Sequence, residues 1–214
     1  NGAGTLTLSG AVTITGTAAE LSTALVTDGV IATSAALSVT DAAEANVAAS
    51  TLSAIAEKAA SVTIVNAVNI QGTEAEVVEA LVTDGVSAAT ATVEISGSTT
   101  VAGITSLYGV DTGTITATIT ETALSDLHAL ATAEGAGENA LTISIADTPV
   151  DAAKLIAVDG ITSEQVSALS LETVSGTATD VAAVRAAIDA LSINATVRFD
   201  AVILEEDDTA SATE

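Results

Sequence analysis

The sequence predicts an α/β repeat solenoid of about seven strand-helix coils, with a parallel sheet on one side and helices on the other. Three observations predict it: an internal duplication, a junction that recurs at roughly 27-residue intervals, and helix-capping residues that follow the junctions. In the duplication, residues 11–30 align without a gap to residues 67–86, with 14 of 20 positions identical and an offset of 56. A weaker copy between the two indicates a basic unit about half that long.

The strands are predicted by the pattern upstream of each junction. A junction is a β-branched residue, one spacer, a turn residue and usually Ser or Thr, as in Ile14-Thr15-Gly16-Thr17. Apolar and polar residues alternate before it, which is typical of a strand with one buried face. The predicted parallel strands cover residues 12–15, 37–40, 68–71, 93–96, 117–120, 143–146 and 172–175. The longest interval contains VTIVNAVNI at 62–70, which predicts an extra strand or a bulge.

The helices are predicted from their two ends, so that each strand leads into a helix. At the start, Ser or Thr can cap the helix, and an acid three residues later completes a capping box. This pattern occurs in four units: Thr17 with Glu20, Thr73 with Glu76, Thr148 with Asp151, and Thr177 with Asp180. At the other end, Gly29, Gly85 and Gly160 can each adopt the left-handed conformation that ends a helix.

The domain prediction follows from the same repeats. Residues 1–194 form a single α/β repeat domain, and residues 195–204 form a terminal strand that caps the last coil or exchanges with a neighbour. Residues 205–214 form an acidic flexible tail. An open α+β domain with mixed strands is the alternative architecture, because strand and helix patterns alone do not fix how the strands pair.

Composition excludes several classes of function. Lys and Arg total 4 against 28 Asp and Glu, giving a net charge of -24, so we expect no nucleic acid or anionic membrane partner. The chain has no Cys, which excludes a disulfide scaffold and a thiolate metal site. No apolar run is long enough for a membrane span, so no direct membrane insertion is expected. The chain begins with Asn1 rather than Met, which is typical of a processed chain or a segment of a longer one.

Catalytic and cofactor-binding residues are predicted to be none. The single His128 has Asp126 two residues before it, and residues two apart do not face each other on a helix. Acidic clusters such as Glu74, Glu76 and Glu79 are expected by chance in so acidic a chain and indicate a solvated face. No glycine-rich phosphate loop followed by Lys is present. A secreted hydrolase using clustered carboxylates stays open as an alternative, which a pocket would indicate.

Calcium is the one cofactor that the acidic residues could take. Four aspartates fall at the predicted ends of coils, although none has the spacing of an EF-hand loop. The candidate metal ligands are Asp28, Asp84, Asp111 and Asp159. Asn194-Ala195-Thr196 matches the glycosylation sequon, which matters only in a secretory host.

A hydroxyl-rich strand face is the candidate binding surface. The outward positions of the predicted sheet are mostly Thr and Ser, a flat array that could bind polysaccharide or ice, although Thr also suits a solvent-facing strand. The candidate ligand face comprises Thr13, Thr15, Ser38, Thr40, Thr118, Thr120 and Ser144. Asn69, Gln71 and Glu94 interrupt the array.

The Ala/Thr/Val/Ser-rich, acidic, sulfur-free and repetitive character of the whole chain resembles bacterial surface-layer proteins and giant secreted adhesins. The resemblance rests on composition and repeat style and assigns no functional residue. It implies a non-enzymatic structural or adhesive module of an extracellular or cell-surface assembly, whose partners are other copies or adjoining repeats. The alternatives are a phage tail-fibre or appendage component and a carbohydrate- or ice-binding module. Because the copies share one sign of charge, we expect their association to depend on salt or divalent ions.

Overall fold

The computed structural model describes residues 6–8, 10–133, 139–195 and 200–204. Over these residues the chain is a mixed α/β protein with seven α-helices and parallel sheets. It divides into two compact units, Asn1–Thr118 (unit 1) and Ile119–Glu214 (unit 2). Within the described ranges, no helix has the length and apolar character that crossing a bilayer requires.

Unit 1 alternates short strands with short helices. Two of its helices, α1 (Ala18–Ser22) and α3 (Glu74–Val78), continue into π-helical segments at Thr23–Thr27 and Glu79–Thr83 respectively. In chain order the elements are β1 (Thr13–Gly16), α1 (Ala18–Ser22), β2 (Ala36–Val39), β3 (Asn46–Ala48), α2 (Ala49–Ala56), β4 (Ser61–Ile64), β5 (Asn69–Gly72), α3 (Glu74–Val78), β6 (Thr92–Thr99), α4 (Val101–Tyr108) and β7 (Ile115–Ile119).

The strands of unit 1 form two parallel sheets. The first sheet has the order β1-β2-β4 and is extended by a bridge between Thr63 and Ser87. The second sheet has the order β3-β5-β6-β7 within this unit. Paired residues lie 23 to 25 positions apart in the sequence, from Thr15 with Ser38 at the short end to Ser38 with Thr63 at the long end. Both sheets therefore advance by nearly the same length of chain per strand.

Alternation of apolar and polar residues places one face of each sheet in the core of unit 1. Strand β4 alternates exposed and buried residues along SVTI, so Val62 and Ile64 point inward. The helices contribute leucine and isoleucine to the same interior, with Leu52 and Ile55 of α2 fully buried. Aliphatic side chains of moderate size fill the core, since the whole chain has a single Phe and no Trp.

Unit 2 repeats this arrangement with its own strands and helices. Its elements are α5 (Leu124–Ala131), β8 (Ala140–Thr142), β9 (Val150–Asp151), α6 (Ala152–Asp159), β10 (Val166–Ala168), β11 (Thr173–Gly176), α7 (Ala178–Asp189), β12 (Ile193–Ala195) and β13 (Asp200–Ile203). Strands β10 and β12 pair in parallel, and a further parallel sheet has the order β9-β11-β13. Paired residues here lie 23 to 27 positions apart. Leu127, Leu155 and Val174 are fully buried.

The strand predictions are confirmed at six of seven places. Strands β1, β2, β5, β6, β7 and β11 overlap predicted segments, and their pairing within each unit is parallel. The segment 62–70 contains the end of β4 and the start of β5, which confirms the extra strand. The strand predicted at 143–146 is wrong, because within it only Ser144 forms an isolated bridge, to Ser167.

Two further expectations about the strands are corrected. The strands do not form a single sheet, because β4 pairs with β2 whereas β5 pairs with β3, the first strand of a second sheet. Nor does every strand lead directly into a helix. Strand β3 intervenes between β2 and α2, and strand β9 intervenes between residues 143–146 and α6.

The predicted capping boxes are confirmed at the two duplicated helices. Thr17 Oγ1 accepts a hydrogen bond from the Glu20 N–H at 3.3 Å, and Glu20 Oε2 accepts one from the Thr17 N–H at 2.9 Å. Thr73 and Glu76 repeat both bonds at 3.4 and 2.8 Å. Each pair satisfies two backbone donors that the helix start would otherwise leave free.

At the other helices the cap predictions divide. Thr177 Oγ1 accepts from the Asp180 N–H at 3.1 Å, so Thr177 is the cap expected there. The prediction at Thr148 is wrong: β9 intervenes, and Asp151 itself caps α6 by accepting from the Lys154 N–H at 3.0 Å.

The glycine predictions at the helix ends also divide. Gly29 and Gly85 have φ angles of 71° and 65°, the left-handed conformation that glycine adopts without a steric penalty. Gly160 has a φ of -71°, so the expected left-handed cap is wrong there, because helix α6 ends in right-handed backbone.

Candidate functional site

A row of four hydroxyl side chains crosses the first sheet, and we name it the hydroxyl row. Thr15 is paired with Ser38, Ser38 with Thr63, and Thr63 with Ser87. Since neighbouring strands lie about 4.8 Å apart, the four residues repeat at that interval. Ser38 is half-buried and the other three are exposed, so the row faces solvent. A regular array of donors and acceptors of this kind can contact a repeating polar ligand.

The neighbouring row on the same sheet is less regular. Thr13 is paired with Ala36, and Ala36 is paired with Ser61. The methyl group of Ala36 thus separates the two hydroxyls. The first sheet therefore has one complete hydroxyl row and one interrupted row.

The second sheet carries amide and carboxylate groups instead, in what we name the amide row: Asn46, Asn69 and Thr92, paired in register. Asn69 Nδ2 donates to Asn46 Oδ1 at 3.2 Å, and Thr92 Oγ1 donates to Asn69 Oδ1 at 3.3 Å. These polar groups bond to one another across the strands, which stabilises the sheet.

Glu94 lies beside the amide row and takes part in the same network. Its Oε2 accepts from Gln71 Nε2 at 2.6 Å and from Asn69 Nδ2 at 3.0 Å. The hydrogen bonds from Asn69 and Gln71 lower the pKa of Glu94 below its ordinary value. The carboxylate is therefore held ionised by its neighbours on the sheet.

The candidate ligand face predicted from the sequence is divided by the structure. Thr13, Thr15 and Ser38 lie on the first sheet, and Thr40 directly follows β2. Thr118 lies in β7 of the second sheet, whereas Thr120 and Ser144 belong to unit 2. The expectation of one continuous face is wrong, because the strands that carry these residues belong to different sheets.

Two members of the hydroxyl row, Thr63 and Ser87, were not among the predicted residues. Thr63 falls in the segment where an extra strand was expected, and TLTL at 5–8 precedes SVTI at 61–64 by the same offset of 56 as the main duplication. Extending the duplication upstream is the signal that identifies Thr63. Ser87 forms a single bridge outside the named strands, so no strand pattern marks it.

Two of the aspartates considered as calcium ligands accept hydrogen bonds from serine side chains. Asp84 accepts a hydrogen bond from the Ser53 hydroxyl, and Asp159 accepts one from the Ser192 hydroxyl at 2.9 Å. Asp28 and Asp111 are exposed. In the part of the chain that the structure describes, no group of three or more His, Asp or Glu side chains could hold a metal ion.

Other carboxylates link one helix start to a neighbouring segment. Asp41 Oδ2 accepts from the Ala18 N–H at 2.7 Å, and Asp147 Oδ2 accepts from the Leu124 N–H at 2.6 Å. In both pairs the acid lies 23 residues after the donor, which is also the separation of many paired residues on neighbouring strands. These acids therefore satisfy helix N-termini from the next segment along the chain.

Glu74 makes the equivalent link in the opposite direction along the chain. It accepts from the Thr100 N–H at 2.8 Å, from the Thr99 hydroxyl at 2.9 Å and from the Thr100 hydroxyl at 3.1 Å. Burial acts to raise the pKa of Glu74, but these hydrogen bonds outweigh it and hold the pKa below its ordinary value. A Cβ atom on Gly103 would overlap the Glu74 side chain, so only glycine leaves room for this contact.

Two of the three clustered acids, Glu76 and Glu79, line an open depression of about 430 Å³ beside α2 and α3, together with Glu57. Of these, Glu76 is engaged with Thr73 in the capping box, and Glu57 lies 3.6 Å from Lys58 Nζ. His128 lies half-buried on α5, away from these residues in the sequence, and its Nδ1 has no partner among the described residues.

Comparison of the chain with family models, with curated proteins and with solved structures finds no match.

Proposed function

We propose that the chain is a non-enzymatic structural or adhesive module of an extracellular assembly, such as a surface layer, a filament or an adhesin, and that each unit is a solenoid. One observation carries the proposal: in both units, paired residues lie 23 to 27 positions apart in the parallel ladders β1-β2-β4, β3-β5-β6, β10-β12 and β9-β11-β13. A coil of this solenoid contains a strand of each of two sheets and one helix, and the next coil adds one strand to each sheet. Stacking repeats of this kind buries a continuous core that no single repeat can bury alone.

The contacts between consecutive coils support the same interpretation. Helices α1, α2, α3 and α4 contact one another in chain order, as do α5, α6 and α7. The bonds from Ala18 to Asp41 and from Leu124 to Asp147 repeat at the same step of 23 residues. Each coil thus contacts its neighbours in sequence, which is how repeat proteins distribute their stability.

An extracellular place is supported by the charge and composition of the chain. Net charge of -24 on 214 residues keeps copies apart unless ions screen it. Outside cells, salt and divalent cations can supply that screening. The compositional resemblance to surface-layer proteins and adhesins favours the same location.

Removing one whole coil tests the solenoid. Deleting residues 69–91 joins Val68 to Thr92, which is one register step because Asn69 is paired with Thr92. We expect this variant to keep its helical circular dichroism per residue and a cooperative unfolding transition. A control deletion of residues 69–80 removes about half a step and should abolish cooperative unfolding. Equal damage in both variants would contradict the solenoid and favour an open α+β domain.

Microscopy tests the structural role. Electron microscopy of the purified full chain at high salt, with and without calcium, should show filaments or sheets of repeated copies. Isolated particles under every condition would contradict self-assembly and leave the chain as a single module.

The hydroxyl row favours a second candidate function, binding of polysaccharide or ice. Replacing Thr15 and Thr63 with Val removes two of its four hydroxyls at nearly constant volume, and Thr83→Val, at an exposed helix position, is the control. If the row binds a ligand, the double variant should lose retention on polysaccharide or activity against ice growth, with its melting temperature unchanged. If it serves only solvation, the double variant should mainly be less soluble.

A further inference from the structure

The duplication provides an internal comparison of the same residues in two settings. Leu6 and Val12 align with Val62 and Val68 at the offset of 56. Leu6 is 59% exposed and Val12 is 40% exposed, whereas Val62 and Val68 are 2% and 1% exposed. The sequence thus keeps large aliphatic residues at positions that are buried in one copy and open in the other.

The second copy is covered by strands that come before it in the chain. Val62 is paired with Leu37 of β2, and the residue after Val68, Asn69, is paired with Asn46 of β3. The strands before β4 and β5 therefore cover the second copy. In the first copy, Thr7 and β1 pair only with later segments, at Ile31 and β2, among the described residues.

The last strands of unit 2 have the opposite open edge. Strand β13 pairs with β11 on one side, and no other described strand pairs with it. Val202, Ile203 and Leu204 are 48%, 50% and 56% exposed. An open strand edge with exposed aliphatic residues is a ready site for adding another strand.

We infer that copies of this chain join head to tail, with β12 and β13 of one copy adding in parallel to the segments around Thr7 and β1 of the next copy. This inference rests on the proposed structural function and names its partner as a second copy. The contact continues the same parallel ladders that connect coils within each unit. It is a heterologous contact, so it repeats from copy to copy.

The spacing within the terminal coils fits this contact. Asn194 and Ala201 are paired with Ser167 and Val174 of the previous coil, and they lie seven residues apart. Thr7 and Ile14 are also seven residues apart. Pairing Asn194 with Thr7 and Ala201 with Ile14 therefore extends both ladders with the same spacing of seven residues.

Charge also favours this pair of edges. Residues 1–19 contain no charged side chain, although the chain as a whole has a net charge of -24. Strand β13 has one charged residue, Asp200, at its start. The neutral first segment is therefore a place where another highly acidic copy can approach with little repulsion.

Variants at the two edges test the inference by sedimentation velocity of the full chain at high salt, with and without calcium. The first variant carries Leu6→Asp and Val12→Asp, and the second carries Val202→Asp and Ile203→Asp. These residues are 40% or more exposed, so both variants should keep the circular dichroism of the dilute wild type and lose only a few degrees of melting temperature. Each variant alone should need at least about tenfold more protein for half-assembly, since burying an unpaired carboxylate is costly. The control is Val82→Asp, an exposed valine away from both edges, which should assemble like the wild type.

Mixing the two edge variants gives the decisive result. Each retains one intact edge, so an equimolar mixture should form a heterodimer and nothing larger. A mixture that stays monomeric, or edge variants that assemble as the wild type does, would overturn the head-to-tail contact. A wild type that is monomeric at every salt and calcium concentration would also overturn it. The deletion of residues 69–91 still reports separately on the solenoid in that case, so the two failures are distinguishable.

Discussion

Val12 and Val68 allow the contribution of a neighbouring coil to be measured with one substitution. They occupy equivalent places in the duplication, one 40% and the other 1% exposed. Val→Ala removes two methyl groups, worth about 1.6 kcal/mol of transfer free energy when fully buried. With the cavity that remains, we expect Val68→Ala to lower the free energy of unfolding by about 2–3 kcal/mol. Val12→Ala should lower it by only ~0.5–1 kcal/mol.

Urea denaturation at low protein concentration and low salt measures this difference in the separated copies. The two variants should have equal slopes with urea and different midpoints. Equal losses of stability, or a larger loss at Val12, would refute the view that a preceding coil buries Val68. At assembling concentrations Val12→Ala should also weaken association, because the proposed contact buries Val12.

Three further substitutions test the links between segments. The folded-state pKa of Glu74 is lowered, so its carboxylate stabilises the fold above its ordinary pKa of 4.5, and this stability is lost as the pH falls through the folded-state pKa. The urea midpoint of Glu74→Gln should therefore change less on acidification than that of the wild type. Gly103→Ala should lower the free energy of unfolding by ~1–3 kcal/mol, because its Cβ overlaps the Glu74 side chain. The control Gly109→Ala should be neutral, because its Cβ would lie 3.8 Å from the nearest atom. Equal effects of the two substitutions in urea denaturation would contradict the overlap. Asp41→Ala should cost ~1 kcal/mol by leaving the Ala18 N–H without its acceptor, and an unchanged thermal midpoint would show that this bond adds nothing.

Local features of the fold were predictable from the sequence. The boxes at Thr17 and Thr73 depend on residues three apart, so the sequence alone identifies them. The left-handed backbone at Gly29 and Gly85 follows from the same local reasoning. At Gly160 it failed, because a glycine after a helix permits left-handed backbone without requiring it.

The pairing of strands was not predictable, because both sheets have the same alternating pattern. Each strand buries one face, so Leu37 and Ile70 have the same signature although they lie in different sheets. Only the register shows that β2 pairs with β4. Three members of the predicted ligand face, Thr13, Thr15 and Ser38, do lie on one sheet. Thr63 and Ser87 were missed because their place on that sheet depends on the strand pairing.

Helices α6 and α7 suggest where the module can vary in length. Helix α6 has eight residues and α7 has twelve. The separation between paired residues on neighbouring strands rises from 23 or 24 positions to 27 across the coil that contains α7. Four added residues are close to one helical turn, so the apolar stripe through Val181 and Val184 stays in phase with the core. The strand layers therefore set the spacing of the stack, and the helical layer accepts insertions one turn at a time. Related modules can alter their outer surface in this way without disturbing the ladder that joins their coils.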